Sequence, residues 1–323
     1  MSQSSKPLTV DPLSGVLSLL RPTTYGFRGL DAGGKWSIAY PADPGIKCYA
    51  IQAGSCFLCV DEGATPLQLA AGDFVLLPGG PGFRLCSSPS ISPIDAAAFM
   101  TGAGVGTFAV LNGGGSCSGV GGYFSFEGLH GNLLLDLLPP VIHITAEASK
   151  TELRGMIERT MRELRAPLPG GSLLVEHLTQ SLLIEALRLH ITERSQEQIG
   201  WLFALADRQL SAVITAIHHR PGHKWTLTSL AKIAAMSRSS FAARFRAAVG
   251  EPPMEYLTRW RMMLAVEKLV REAAPISLVA PALGYQSESA FGAAFKRIVG
   301  FPPRQFVKSH QALRGAQILG SSD

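Results

Sequence analysis

The stretch from Trp225 to Lys308 carries one short device twice, and this duplication constrains the fold more than any other feature. The first copy reads LTSLAKIAAMSRSSFAARFRAAVGEPP and the second ISLVAPALGYQSESAFGAAFKRIVGFPP. In each, a short apolar helix runs into a turn. A Ser-capped helix follows, with Phe at i and i+4, and closes on Val-Gly and a Pro-Pro pair. A Ser at the N-cap satisfies an orphan amide of the first turn, and i, i+4 spacing puts both rings on one face. The pattern is that of a helix-turn-helix used twice, at 227–249 and 276–299.

In the first unit, Thr226 is expected to cap a helix through Ala234, Met236 to occupy the turn, and Ser237 to cap Arg238–Val249. Phe241, Phe245 and Ala248 then point inward, and Ser239, Ala242, Ala243 and Arg246 point outward. Small outward side chains let a helix approach base edges closely. Arg238, Arg244 and Arg246 flank that face and suit phosphate oxygens. In the second unit, Ser277 is expected to cap a helix to Leu283, Gly284-Tyr285 to make the turn, and Ser287 to cap Glu288–Val299. Phe291 and Phe295 repeat the core pair. Ser287, Glu288, Ser289, Gly292, Ala293 and Lys296 form the outward side with Arg297 beside them; Glu288 can accept from cytosine N4 or hold a neighbouring Arg, and the second role is favoured. Pro281 is placed near the end of the first turn of its helix, where a missing N–H costs least, and it makes the second unit the weaker reader.

Between the copies, Pro253 to Glu272 reads as one helix of about 30 Å at about 1.5 Å per residue. That length suits two recognition helices about 34 Å apart, one DNA turn, on the same side of a duplex. Charge agrees. Residues 207–310 hold 15 of the 29 Lys and Arg but 6 of the 24 Asp and Glu, so the basic charge is concentrated where an anionic partner would bind.

The segment 207–310 resembles the AraC/XylS family of transcription regulators: GYQSESAFGAAFKRIVGFPPRQF and SLAKIAAMSRSSFAARFRAAVGEPPMEYLTRWRMMLA follow the family's signature. The resemblance implies one chain carrying two helix-turn-helix units, double-stranded DNA as partner, and control of transcription through contact with RNA polymerase.

Ahead of it, Lys35 to Leu111 reads as short strands (WSIAY, KCYAIQ, SCFLCV, PLQLA, FVLLP, FRLCS and TFAVLN) separated by Asp43-Pro44-Gly45, Ala53-Gly54, Asp61-Glu62-Gly63 and Pro78–Gly82. Strands at hairpin spacing predict a small barrel or sandwich of the jelly-roll class. KCYAIQAGSCFLCVDEGATPLQLAAGDFVLLPGGPGFRL resembles the cupin-type sensor domain of one branch of the same family, the piece Ala71–Gly80 most closely. Gly72 permits the turn there and Asp73 can accept from backbone amides. The fold class expected is α+β in two domains: a cupin-like β-barrel with connecting helices, then an all-α domain.

The glycine-rich stretch Asn112–Tyr123 lacks the Lys-Ser/Thr of a phosphate-binding loop and reads as a flexible connection, after which GYFSFEGLHGNLLLDLLPPVIHI resembles the way out of the sensor barrel. From Ala148 to His190 the period changes to that of helices. Leu153, Met156, Ile157, Thr160, Met161 and Leu164 share one face, and Leu174, Leu178, Ser181, Leu182, Glu185 and Leu189 another. This pair could pack within the chain or form a homodimer. Thr192–Gln198 reads as a hinge and Trp201–His219 as one amphipathic helix stopped at Pro221-Gly222. The divisions are therefore 1–145 sensor, 146–200 connector, 207–310 DNA-binding domain and 311–323 tail, with residues 1–24 loosely packed.

Catalysis finds no support. His130, His143, His177 and His190 form no nucleophile or base arrangement, and no GxSxG or HExxH occurs. The cupin resemblance places His where Cys48 and Phe83 stand, so a metal site loses its natural ligands. Pro221 breaks the His219/His223 pair, and Cys56 and Cys59 point to opposite faces of a strand. No cofactor or metal is expected. The alternatives are a catalytic cupin fused to a DNA-binding half, and a β domain that only dimerises. A small, largely apolar effector would be lined by Trp36, Tyr40, Cys48, Tyr49 and Phe83. Five cysteines, an odd number, indicate reduced thiols and not a disulfide framework. A redox switch using Cys48, Cys56, Cys86 or Cys117 is a further alternative. With no signal-peptide pattern and no long apolar run, the expected compartment is the cytoplasm.

Overall fold

The structure, a computed structural model, describes residues 11–20, 22–43, 45–60, 65–99, 107–126, 138–145, 147–193 and 200–310. They fall into two compact units: a β unit between residues 22 and 194, and a helical unit of 11–20 with 200–310. The turn Asp61-Glu62-Gly63, His130, most of the hinge and the tail lie outside the described residues.

Helix α1 (Pro12–Leu20) belongs to the helical unit, where Leu13 and Val16 are buried. The expected loose packing of this segment is therefore wrong: its apolar patch is a helix face. The β unit contains β1 (Pro22–Ala32), β2 (Ser37–Tyr40), β3 (Ile46–Cys59), β4 (Leu67–Ala70), β5 (Phe74–Pro78), β6 (Phe83–Cys86), β7 (Ile94–Asp95), the single-turn α2 (Ala96–Phe99), β8 (Phe108–Leu111), β9 (Cys117–Phe126) and β10 (Ile142–Ile144). The main path runs β7-β2-β6-β3-β9-β1-β8, with β4 and β5 also on β3 and β10 on β5. The curled sheet is cupin-like.

Two expectations fail here for the same reason. KCYAIQ and SCFLCV are not separate strands about a turn at Ala53-Gly54; they form the single strand β3. Its register against β9 shifts between Ile51 and Ala53, and its far end pairs with β4 and β6. The extra residue of this bulge is Gln52, and two residues on Gly54, with φ +76°, lies so close to the Ser116 carbonyl that a Cβ would not fit. The glycine-rich stretch after Asn112–Gly115 is likewise no flexible connection. It becomes β9, paired along its length with β1 on one side and β3 on the other. Glycine there is a packing requirement: a Cβ at Gly119 would stand 2.3 Å from the Ala50 carbonyl.

The inner core holds Trp36, Ile38, Ile51, Leu58, Leu69, Val75, Leu77 and Leu85. On the other side, Phe27 and Phe124 meet edge-to-face at 5.2 Å, and α3 (Glu147–Arg165) packs against β1, β3 and β9. Leu153, Ile157, Thr160, Met161 and Leu164 are buried as expected. Helix α4 (Gly171–Glu193) is rotated by about one residue from its expected face, roughly 100°. Val175, Thr179, Leu182, Leu183, Ala186, Leu187 and His190 are buried, whereas Leu174, Leu178, Glu185 and Leu189 are half-buried and Ser181 is exposed.

The helical unit comprises α5 (Trp201–Ala204), α6 (Arg208–His219), α7 (Leu227–Ile233), α8 (Arg238–Val249), α9 (Pro253–Val270), α10 (Ile276–Ala282), α11 (Glu288–Val299) and α12 (303–310). The single helix expected from Trp201 to His219 is two, because Asp207 caps α6 by accepting from the amides of Gln209 (2.9 Å) and Leu210 (3.1 Å). Helix α9 has 18 residues, about 27 Å of rise, slightly short of the expected length. The N-cap of α10 is Pro275, with Ser277 inside the helix. Pro281 consequently lies in the last turn of α10 and not the first. It is exposed, while Val279 and Ala280 face the core with Phe291 and Phe295.

Candidate functional site

The two recognition helices are built alike. Ser237 Oγ accepts from Ser240 N at 3.2 Å and Ser287 Oγ from Ala290 N at 3.1 Å. Each helix closes at a left-handed glycine, Gly250 or Gly300, both with φ 91°. Phe241, Phe245, Phe291 and Phe295 are fully buried, so each helix is held through one face and offers the opposite one. On α8, Arg238, Ser239, Ala243 and Arg246 are exposed and Ala242 is half-buried. On α11, Ser287, Glu288, Ser289, Ala293, Lys296 and Arg297 are exposed and Gly292 half-buried, with nothing within 4 Å of where its Cβ would be.

The cations of this surface are not equivalent. Arg238, Arg246 and Lys296 have no hydrogen-bond or ion-pair partner among the described residues. Arg244 bonds to Gln209 Oε1 at 2.9 Å and pairs with Asp207, tying α8 to the cap of α6. Without DNA its guanidinium is therefore held by that tie. Arg297 bonds to Glu255 of α9 at 2.8 Å, so the reading in which Glu288 holds a neighbouring Arg is replaced by a different carboxylate. Arg261, which sequence reasoning missed, bonds to the carbonyls of Pro221 (2.7 Å) and His223 (2.8 Å) and anchors the connection between α6 and α7. Partners separated by tens of residues leave no local pattern to read.

The β unit holds an open-mouthed cavity of about 310 Å³, bounded by β1, β3, β9 and α2. Trp36, Tyr40 and Tyr49 line it, together with Arg28 and Lys47. Cys48 and Phe83 do not. Alternation along β3 turns Tyr49 inward and Cys48 to the far face, where its thiol donates to the Gly122 carbonyl at 3.7 Å. Phe83 stands behind the lining, stacked on Tyr40 at 4.7 Å. Burial raises the Cys48 thiol far above its ordinary value, which makes it a poor nucleophile. Asp73 accepts from Ala70 N at 2.9 Å, as expected for the turn at Gly72, and from His143 Nε2 at 3.1 Å. Among the described residues, no group of three or more His, Cys, Asp and Glu is arranged to hold a metal ion.

Residues 11–192 match the family model described as Cupin, and residues 230–309 match the one described as Helix-turn-helix domain. An AraC-like transcription regulator of Streptomyces antibioticus is 39% identical over 86% of this chain and 92% of its own length. A second, from Streptomyces lividans, is 38% identical over the same shares. The HTH-type transcriptional regulator AlkR of Acinetobacter baylyi is 30% identical over 86% of this chain and 93% of its own. The chain belongs to the AraC-like transcription regulators. In this AraC-like regulator the cupin match takes in both the sheet and the α3–α4 pair, and the helix-turn-helix match takes in α8 and α11 with the α9 between them. No helix among the described residues of this AraC-like chain is long and apolar enough to cross a membrane.

Proposed function

We propose that the regulator reads two successive major grooves with α8 and α11 of a single chain, and that a small effector in the β-unit cavity governs this binding. The observation that carries the reading is the repeated surface: two capped helices, each with small side chains outward, unpartnered cations beside them and a Phe pair locking the reverse face. Ser239, Ala242, Ala243, Ser289, Gly292 and Ala293 face the bases, and Arg238, Arg246 and Lys296 face phosphates. Arg297 and Glu288 sit at the edge of that surface, and Ser287 contributes through its cap. The β unit is a sensor and not an enzyme, working in the cytoplasm, and control passes to RNA polymerase. Exposed Leu168, Leu173 and Ile184 on and before α4 support pairing with a second copy through the α3–α4 pair.

The test is the salt dependence of DNA affinity. Arg246→Ala is expected to weaken binding and to reduce the slope of log K against log salt by about 0.9, one phosphate contact. Phe245→Ala is expected instead to destabilise the helical unit by about 3–5 kcal/mol. An Arg246→Ala protein with unchanged affinity and slope would refute the face assignment.

A further inference from the structure

The floor of the cavity is laid out by strand register. Arg28 of β1 stands opposite Gly121 of β9, which stands opposite Tyr49 of β3. Two residues along in either direction, on the same face, the rows read Gly26, Tyr123, Lys47 and Leu30, Gly119, Ile51. Each row is missing one side chain, and two of the three gaps are filled from the side. A Cβ at Gly121 would lie 2.2 Å from the Tyr49 ring, and one at Gly26 would lie 2.2 Å from the Tyr123 ring. The glycines let these rings lie down across the sheet, which leaves the open volume above them.

The charges around this volume are unequally satisfied. Lys47 Nζ donates to the carbonyls of Pro41, Gly80 (3.5 Å) and Pro81 (3.4 Å), so its ammonium is occupied by backbone. Asp43 is exposed at the rim. Arg28, half-buried in the middle row, has no hydrogen-bond or ion-pair partner among the described residues. Its charge acts on the phenols of Tyr40 and Tyr49, but burial pushes Tyr40 up to about 12 and Tyr49 well above its ordinary value. Both therefore stay protonated and offer hydrogen bonds, not countercharge. A guanidinium that lines an apolar cavity with no partner of its own is available to an anion, and its planar fork matches a carboxylate.

We propose that the cavity takes a small apolar molecule bearing one carboxylate, anchored by the Arg28 guanidinium. About 310 Å³ suits one ring or a short chain. The inference rests on the reading of this cavity as the effector site. Calorimetry on the full chain compares benzoate, phenylacetate, cyclohexanecarboxylate and octanoate with their amides, and DNA affinity is measured with each compound present. At least one acid is expected to bind about tenfold or more tightly than its amide, with that ratio lost in Arg28→Gln and partly kept in Arg28→Lys. The acid-to-amide ratio in the unaltered chain decides the matter even where a variant folds poorly. Amides binding as tightly as acids, or an acid preference that survives Arg28→Gln, overturns the anchor, and the effector reading then stands if the amides alter DNA affinity. An acid held through Arg28 that leaves DNA affinity unchanged supports the anchor and removes the effector reading. Binding by none of the compounds counts against both.

Discussion

His218 lies at the centre of an aromatic stack in the helical unit, 3.8 Å from the Trp260 ring and nearly parallel to it, with Nε2 at 2.8 Å from the Tyr256 hydroxyl. Burial lowers its pKa to about 3. The unfolded chain takes up this proton near pH 6.5, whereas the folded chain resists until about pH 3. Between those values the unfolded state binds more protons, so stability is lost as pH falls, by about 1.4 kcal/mol per pH unit from this group. Denaturant titrations from pH 7 to pH 4 should show that loss, and His218→Gln should remove this part of the slope while lowering stability at pH 7. At this scale the sequence was informative where spacing alone decides burial. Phe241, Phe245, Phe291 and Phe295 fall inward because i and i+4 share a face. It was silent on Arg28, because β1 lacks the alternation and turn signals by which its neighbours were recognised.

Among the elements, α8 and α11 repeat each other closely, and what precedes them differs. The turn before α8 has Ala235 at φ 54°, a costly conformation for a residue with a Cβ, and the turn before α11 has Gly284 at φ 82°. Helix α7 begins with a reciprocal cap between Thr226 and Ser229, and α10 begins at Pro275 with no side-chain cap. Arg244 distinguishes a strut from a contact. Because it joins α8 to Asp207 and Gln209, Arg244→Ala should cost roughly 1 kcal/mol or less of stability, as expected for a largely exposed pair. It should leave the salt slope of DNA binding where Arg246→Ala lowers it; a matching fall in slope would mean that Arg244 leaves Asp207 for a phosphate. Helix caps were legible because Ser237, Ser287 and Thr226 act on amides two or three residues away. The faces of α4 were not, since its composition is apolar nearly all round and only its neighbours decide which side is covered.

For the whole molecule, the uneven charge and the repeated device were enough to divide the chain, because both are sums over many residues and survive local errors. The sheet was harder. Its strands were found by alternation, which breaks down where a strand is covered on both faces or bends between partners. Strand β3 reads as two strands parted at Gly54 for that reason, and β9 reads as a connection because Gly119, Gly121 and Gly122 carry no pattern at all.

That same strand has a consequence for how the molecule opens. Backbone amides exchange with solvent hydrogen only when their bonds break, and bonds closed on both flanks break last. Residues 117–124 are paired with β1 and β3 together, whereas β4 and β7 each have one neighbour. In a deuterium-labelling time course the amides of β9 should retain hydrogen longer than those of β4 or β7, and rapid labelling of β9 would contradict its central place. The stretch whose composition most resembles a solvent-exposed linker would then be among the last parts of the β unit to record contact with water.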